Sequence, residues 1–261
     1  MAENCNLVIL LGALLVSTGL FRNPIIVAAV GGEGIPTVGL FTFGDSYFDA
    51  GNKDQHPPQS FWPYGKSRDD PNGKFSDGRI VPDFIAEFMG IPKKIPPVLK
   101  TGVDVSRGAS FAVADASILG NPETSKHASA QQAFVISASN QLKTDINFTV
   151  FDFYNAVLRR THNHLNYRFY VSNTSCCGVG THDAYGCGMV NVHSKLCEYQ
   201  RAYFFFDGRH NTEKAQEEFA HLIFGADINV VQPMTLRELI VYPFNEPMRE
   251  LLATNQFHHH N

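Results

Sequence analysis

The sequence predicts an α/β fold with a parallel sheet, and three observations carry that reading. Val38 to Phe43 is a mostly apolar run of strand length that stops at Gly44. Val81, Phe84, Ile85, Phe88 and Met89 recur at i, i+3, i+4, i+7 and i+8, the spacing of one helix face. Phe148 to Phe153 then reads as a strand feeding a helix from Tyr154 to Arg160, so strands and helices alternate.

Along the chain, Asp49 to Gly78 is rich in Gly, Pro, Asp and Asn and reads as a long loop. The helix after it has Pro82 in its first turn and Gly90 at its end. Pro92 to Pro97 is another loop, Val105 to Ile118 has no clear period, and Ala128 to Leu142 is a candidate second helix. Ser175 to Cys197 is a glycine-rich loop, and Tyr203 to Phe206 an aromatic strand or extended entry to Asp207. Ala215, Phe219, Leu222 and Ile223 mark a further amphipathic helix, with Thr212 as N-cap, Glu213 in its first turn and Gly225 as its stop.

The N-terminal run Leu7 to Val16, followed by Ala28 and Ala29, predicts a cleavable secretory leader within residues 1–30. Its n-region holds Glu3 and no Lys or Arg, and Gly12 and Gly19 interrupt it, which makes it short for a membrane span. Removing the leader takes Cys5 and leaves Cys176, Cys177, Cys187 and Cys197, an even set suited to disulfides in an oxidising compartment. Four cysteines allow three pairings, and sequence does not choose among them. Zinc is the competing use, but adjacent Cys176 and Cys177 give poor ligand spacing. Asn147 and Asn173 head glycosylation sequons. Net charge is −4 with scattered Lys and Arg, which gives no nucleic-acid surface. Charged residues are only 18% against 44% hydrophobic, which excludes a disordered chain.

Two short motifs carry chemistry. Gly44-Asp45-Ser46 leaves the first apolar strand at its C-terminal end, where open α/β sheets bind ligands. Asp207-Gly208-Arg209-His210 spaces a carboxylate three residues from an imidazole, just before a helix. Together they supply nucleophile, base and orienting acid for acyl transfer. The competing reading of the second motif is an exposed pair capping the helix near Thr212.

The context of both motifs resembles the plant GDSL esterase/lipase (SGNH hydrolase) family, over nearly all of residues 36–241. The resemblance rests on Phe41-Thr-Phe-Gly-Asp-Ser-Tyr-Phe-Asp-Ala-Gly-Asn52, Trp62-Pro-Tyr-Gly65 and Gly73-Lys-Phe-Ser-Asp-Gly-Arg79. It continues through Asp83-Phe-Ile-Ala-Glu87, Cys176-Cys-Gly-Val-Gly180 and Phe206-Asp-Gly-Arg-His-Asn-Thr-Glu213. Within the family the chain is most similar to myrosinase-associated and epithiospecifier-modifier-like proteins, through Asn191 to Glu198 and Val231 to Leu239.

That resemblance implies a three-layer, flavodoxin-like SGNH sandwich with a reduced parallel sheet, and a triad of Ser46, Asp207 and His210. It implies ester or lipid hydrolysis through an acyl-serine, without metal or organic cofactor. The oxyanion donors it implies are the N–H groups of Ser46 and Ala114, the latter in Ser110 to Ala116, where Ala114 and Asp115 replace a Gly-Gly pair. The family's third donor, an asparagine in Gly-x-Asn-Asp, has no counterpart between residues 117 and 206. The domain therefore reads as internally truncated, with joins near 121–126 and 146–148 and a tail over 242–261. Two functions are expected from this pattern: a weak or inactive ester hydrolase, or a non-catalytic protein acting beside a thioglucosidase (myrosinase) in glucosinolate breakdown. Its location would be secreted, endomembrane or vacuolar.

Overall fold

The computed structural model describes residues 5–11, 25–29, 37–53, 62–68, 73–91, 94–116, 147–227 and 229–241. Its strands are β1 (Cys5–Leu11), β2 (Ile25–Ala29), β3 (Thr37–Phe43), β4 (Gly108–Ser110), β5 (Asn147–Phe151), β6 (Cys177–Gly178), β7 (Lys195–Leu196) and β8 (Val231–Gln232). Its α-helices are α1 (Val81–Phe88), α2 (Phe153–His162), α3 (Glu213–His221) and α4 (Leu236–Val241). The candidate helix over Ala128 to Leu142 and the join near 121–126 lie outside the described residues.

Among the described residues, six strands form one sheet in the order β4-β3-β1-β2-β5-β8, and β6 and β7 form a small ribbon. The α/β expectation holds, but the sheet is mixed rather than parallel. β3 runs parallel to β1 and β4, whereas β1–β2, β2–β5 and β5–β8 are antiparallel. Sequence-adjacent β1 and β2 pair directly, and antiparallel pairing is the arrangement that needs no crossover connection. Both belong to the run that the sequence reads as a leader. In the full chain they fill the sheet between β3 and β5, so cleavage after residue 30 and this sheet exclude each other.

The helices follow local rules. Ile80 N–H donates to Asp83 Oδ2 (3.0 Å) at the start of α1, and Asp83 also pairs with buried Lys74 at 2.6 Å. Asp152 caps α2 through Asn155 N–H (3.0 Å) and Thr212 caps α3 at Ala215. α3 does not stop at once. It runs on into a wide turn, Leu222–Ala226, within which Gly225 leaves the helical conformation. Tyr203 to Phe206 is extended and makes only single bridges, Val171↔Tyr203 and Phe205↔Asn211.

The core is aromatic, as 21 phenylalanines require. Phe219 of α3 meets Phe151, Phe153 and Phe204 at centroid distances of 6.0, 5.1 and 6.0 Å, all tilted or edge-on, the favoured geometry of ring quadrupoles. α1 lies against α3, and its Val81, Phe84 and Ile85 are buried.

The Phe48-to-Asn52 turn is held by two polar side chains. Asp49 accepts the N–H groups of Gly51 (2.8 Å), Asn52 (2.5 Å), Lys53 (3.1 Å) and Ala114 (2.7 Å). Asn52 Nδ2 donates to the carbonyls of Ser110 (2.7 Å) and Ala112 (2.9 Å), and its Oδ1 accepts Leu99 N–H (2.9 Å). Replacing this buried amide strands three backbone groups. Asn52→Ala should therefore cost on the order of 3 kcal/mol in urea unfolding. A loss no larger than a surface substitution gives, about 0.5 kcal/mol, would show that the amide does not hold the turn.

Candidate active site

Ser46 sits in the turn after β3. Gly44, at φ 142°, redirects the chain with a conformation that side-chain-bearing residues rarely adopt. The turn closes through Phe48 N–H to Asp45 O (3.1 Å), and Asp45 Oδ1 accepts Tyr47 N–H (3.1 Å). It is stitched to the segment beyond β4 by Phe111 N–H to Thr42 O (2.7 Å) and Val113 N–H to Gly44 O (3.1 Å).

The Asp207–His210 turn comes from the other end of the chain. Asp207 Oδ1 accepts the N–H groups of Arg209 (2.7 Å) and His210 (2.8 Å), which folds the tetrapeptide back on its carboxylate. His210 Nδ1–H points at the same group, 2.8 Å from Oδ2 and 3.0 Å from Oδ1. The Ser46 hydroxyl donates to His210 Nε2 at 2.8 Å, across 164 residues of sequence. Tyr47 locks the two turns together by donating its hydroxyl to Arg209 O (2.7 Å). Asp207 and His210 are buried, so the exposed capping pair does not describe them; Thr212 itself caps α3.

The electrostatics suit this arrangement. Burial opposes ionisation of Asp207, but hydrogen bonds from His210, Arg209 N–H and Tyr64, with the attraction of the imidazole, hold its carboxyl below the usual range. Asp45 is pushed up by burial, against the opposing pull of the Tyr47 N–H and His210. Tyr47 is pushed up by burial and by the charges of Asp45 and Asp207, which keeps its hydroxyl a donor.

Two supports brace the motif. In the Gly73-to-Arg79 block, Asp77 Oδ1 accepts Glu213 N–H (2.7 Å), and Ser76 Oγ donates to Asn211 O (3.2 Å). Glu213 is held by Arg68 (2.7 Å) and Arg79 (2.8 Å), which offset burial and lower its carboxyl. On the other side the cysteine loop is pinned by disulfides Cys176–Cys197 and Cys177–Cys187. Its N–H groups at Cys176 and Cys177 donate to Phe205 O (3.0 Å) and Phe206 O (2.7 Å), immediately before Asp207.

The sequence profile described as GDSL-like Lipase/Acylhydrolase matches residues 40–135 and 120–223. The chain belongs to this family. It is 50% identical to GDSL esterase/lipase ESM1 of Arabidopsis thaliana, covering 98% of this chain and 95% of that protein. It is 48% identical to Inactive GDSL esterase/lipase-like protein 23 of the same plant, covering 96% of this chain and 94% of that protein. GDSL esterase/lipase 22, also from Arabidopsis thaliana, is 47% identical, covering 96% of this chain and 93% of that protein. The alignment with ESM1 spans 375 positions. A chain of 261 residues therefore lacks more than a hundred of those positions internally.

Of the residues singled out in this GDSL chain, the structure brings Ser46, Asp207 and His210 into one hydrogen-bonded line. Ala114 is a different case, because its N–H is taken by Asp49 Oδ2 at 2.7 Å. The N–H groups of Ser46 and Asp115 make no hydrogen bond among the described residues. Asp115 holds φ 63°, a left-handed conformation that Asp visits more readily than most residues. Its carboxylate pairs with Lys53, both side chains being largely exposed. Asn147 opens β5 opposite Ala28 of β2, and the Thr149 of its sequon is buried. Asn173 is exposed. Among the described residues no group of His, Cys, Asp and Glu is placed to hold a metal, and no helix is long and apolar enough to cross a membrane.

Sequence reasoning missed Tyr47, Asp49 and Tyr64 as parts of the site. Each lies inside a block used for family resemblance, and their partners are 162, 65 and 143 residues away. Peptide mapping of the unreduced protein should recover Cys176 joined to Cys197 and Cys177 joined to Cys187. Alkylation of the full chain under denaturing conditions should then find a thiol at Cys5 alone. Free thiol among the other four would sink the assignment.

Proposed function

We propose that this protein is a GDSL-type serine ester hydrolase with weakened turnover, acting through an acyl-serine. The observation that carries this is the continuous line from Ser46 Oγ through His210 to Asp207, with contacts of 2.8 Å on both imidazole nitrogens. Ser46 Oγ attacks the acyl carbon as its proton passes to His210 Nε2, and Asp207 holds the tautomer and the imidazolium that forms. His210 then returns the proton to the leaving alcohol oxygen, leaving the acyl group on Ser46. Water attacks that ester with His210 again taking the proton, and Ser46 is released with the free acid.

The oxyanion would be met by the N–H groups of Ser46 and Asp115, since that of Ala114 is committed to Asp49. With the third-block asparagine absent from the sequence, turnover should lie about 10²-fold or more below a relative that keeps it. The family's three-layer, flavodoxin-like arrangement belongs to the same proposal, supported by membership of the family and by the mixed sheet with its helices. So does entry to the secretory route, supported by the leader-like N-terminus and the two disulfides.

A second reading is favoured by the missing donor: a non-catalytic member that associates with a thioglucosidase and changes the outcome of glucosinolate breakdown. The resemblance of Asn191 to Glu198 and Val231 to Leu239 supports it. A fluorophosphonate probe decides between the two. The hydrolase reading expects labelling of the disulfide-intact protein, lost in Ser46→Ala and kept in Ser106→Ala, an exposed site away from the triad. No labelling of wild type, together with thioglucosidase retention that survives Ser46→Ala and His210→Ala, would give the association reading instead.

A further inference from the structure

Asp207 carries one donor that the triad chemistry does not use. The hydroxyl of Tyr64, from the Trp62-to-Gly65 turn, donates to Asp207 Oδ2 at 2.8 Å, on the oxygen that also faces His210 Nδ1. The ring is fixed on several sides. It meets Phe75 and Phe206 edge-on, with centroids at 5.6 and 5.4 Å, and packs on the cluster of Cys176, Cys177 and Phe206. The cysteine loop closes over it so tightly that a Cβ on Gly188 would stand 3.0 Å from Tyr64 Cε2 and 3.2 Å from Trp62 O. A Cβ on Gly208, beside Asp207, would stand 2.0 Å from Ala184 O of the same loop.

We infer that Tyr64 is a positioning residue of the triad: pressed into place by the disulfide-pinned loop, its hydroxyl fixes the rotamer of the Asp207 carboxylate and takes up part of its charge. The inference rests on the hydrolase reading for its consequence in reactivity, but the contact is open to test without it. Burial and the Asp207 charge push the Tyr64 hydroxyl far up, so it stays a donor through the acid and neutral range. Among the described residues, the other titratable groups acting on the pair are His210 and Arg209 from the same turn and Tyr47 from the turn after β3, while Asp45 of that turn acts on His210. The cysteine loop contributes disulfides and backbone at this contact.

The sign follows from competition for one carboxylate. A neutral donor on Oδ2 withdraws charge that would otherwise stabilise the imidazolium. Losing the donor lets the Asp207–His210 pair keep its proton to higher pH, and a stronger donor does the reverse.

The test compares wild type, Tyr64→Phe and protein carrying a fluorinated tyrosine at position 64, all with disulfides intact. Fluorophosphonate labelling rate is read against pH, and the His210 imidazole resonance is titrated by NMR in parallel. Tyr64→Phe keeps the ring packing and should move the acid limb and the NMR midpoint up by about one pH unit, with a slower plateau. The fluorinated ring should move both down. Midpoints that stay together in all three proteins overturn the inference, as does a shift of the same sign in both variants. If wild type is not labelled, the hydrolase reading fails, and the NMR midpoints alone still decide the role of Tyr64. If Tyr64→Phe does not fold, the downward shift with the fluorinated ring carries the test, and its absence refutes it.

Discussion

Around the carboxylate of Asp207, four donors from two distant parts of the chain converge: the N–H groups of Arg209 and His210, His210 Nδ1 and the Tyr64 hydroxyl. The group is almost wholly removed from water, and a buried charge is tolerated only when it is saturated with donors. Saturation in turn dictates geometry. The two backbone donors force a tight turn, the turn fixes the imidazole, and the imidazole reaches Ser46. The cysteine loop and the Gly73-to-Arg79 block are what keep the turn from opening.

Several of the family-like blocks in this chain brace the turns that carry Ser46, Asp207 and His210. Asp49 and Asn52 tie the nucleophile turn to the segment after β4, and Asp77 fixes the N-terminus of α3 through Glu213. This work has a cost at the oxyanion. The Asp49 carboxylate that organises the turn also occupies the Ala114 N–H, which removes that donor from any oxyanion hole of the proposed hydrolase. The pairing of Asp115 with Lys53 draws the Asp115 carboxylate into an ion pair in an exposed setting.

The sheet shows how the chain closes after an internal loss. The alignment with ESM1 leaves more than a hundred positions without a counterpart, yet β3 and β5 are not left with bare edges. β1 and β2 lie between them and satisfy their backbone groups. Unpaired strand edges invite association with other chains. The apolar N-terminal run thus serves as sheet filler, a use that asks for the same residue types as the leader expected from the sequence.

The sequence by itself determined the local elements. Apolar periodicity, Pro82, Gly90 and Thr212 placed β3, α1 and the start of α3 within a residue or two, because strands, helix faces and caps are set by neighbours along the chain. It also determined the chemistry on offer, since Ser46, Asp207 and His210 are the residue types of acyl transfer in recognisable blocks. Sheet order, strand direction and disulfide pairing were decided by tertiary structure. They depend on which edges and thiols meet in space, and no local pattern records that. The same holds for the donors. Whether the Ala114 N–H faces a reacting oxygen or Asp49, and whether Tyr64 is a loop aromatic or a brace on the triad, depends on partners 65 and 143 residues away.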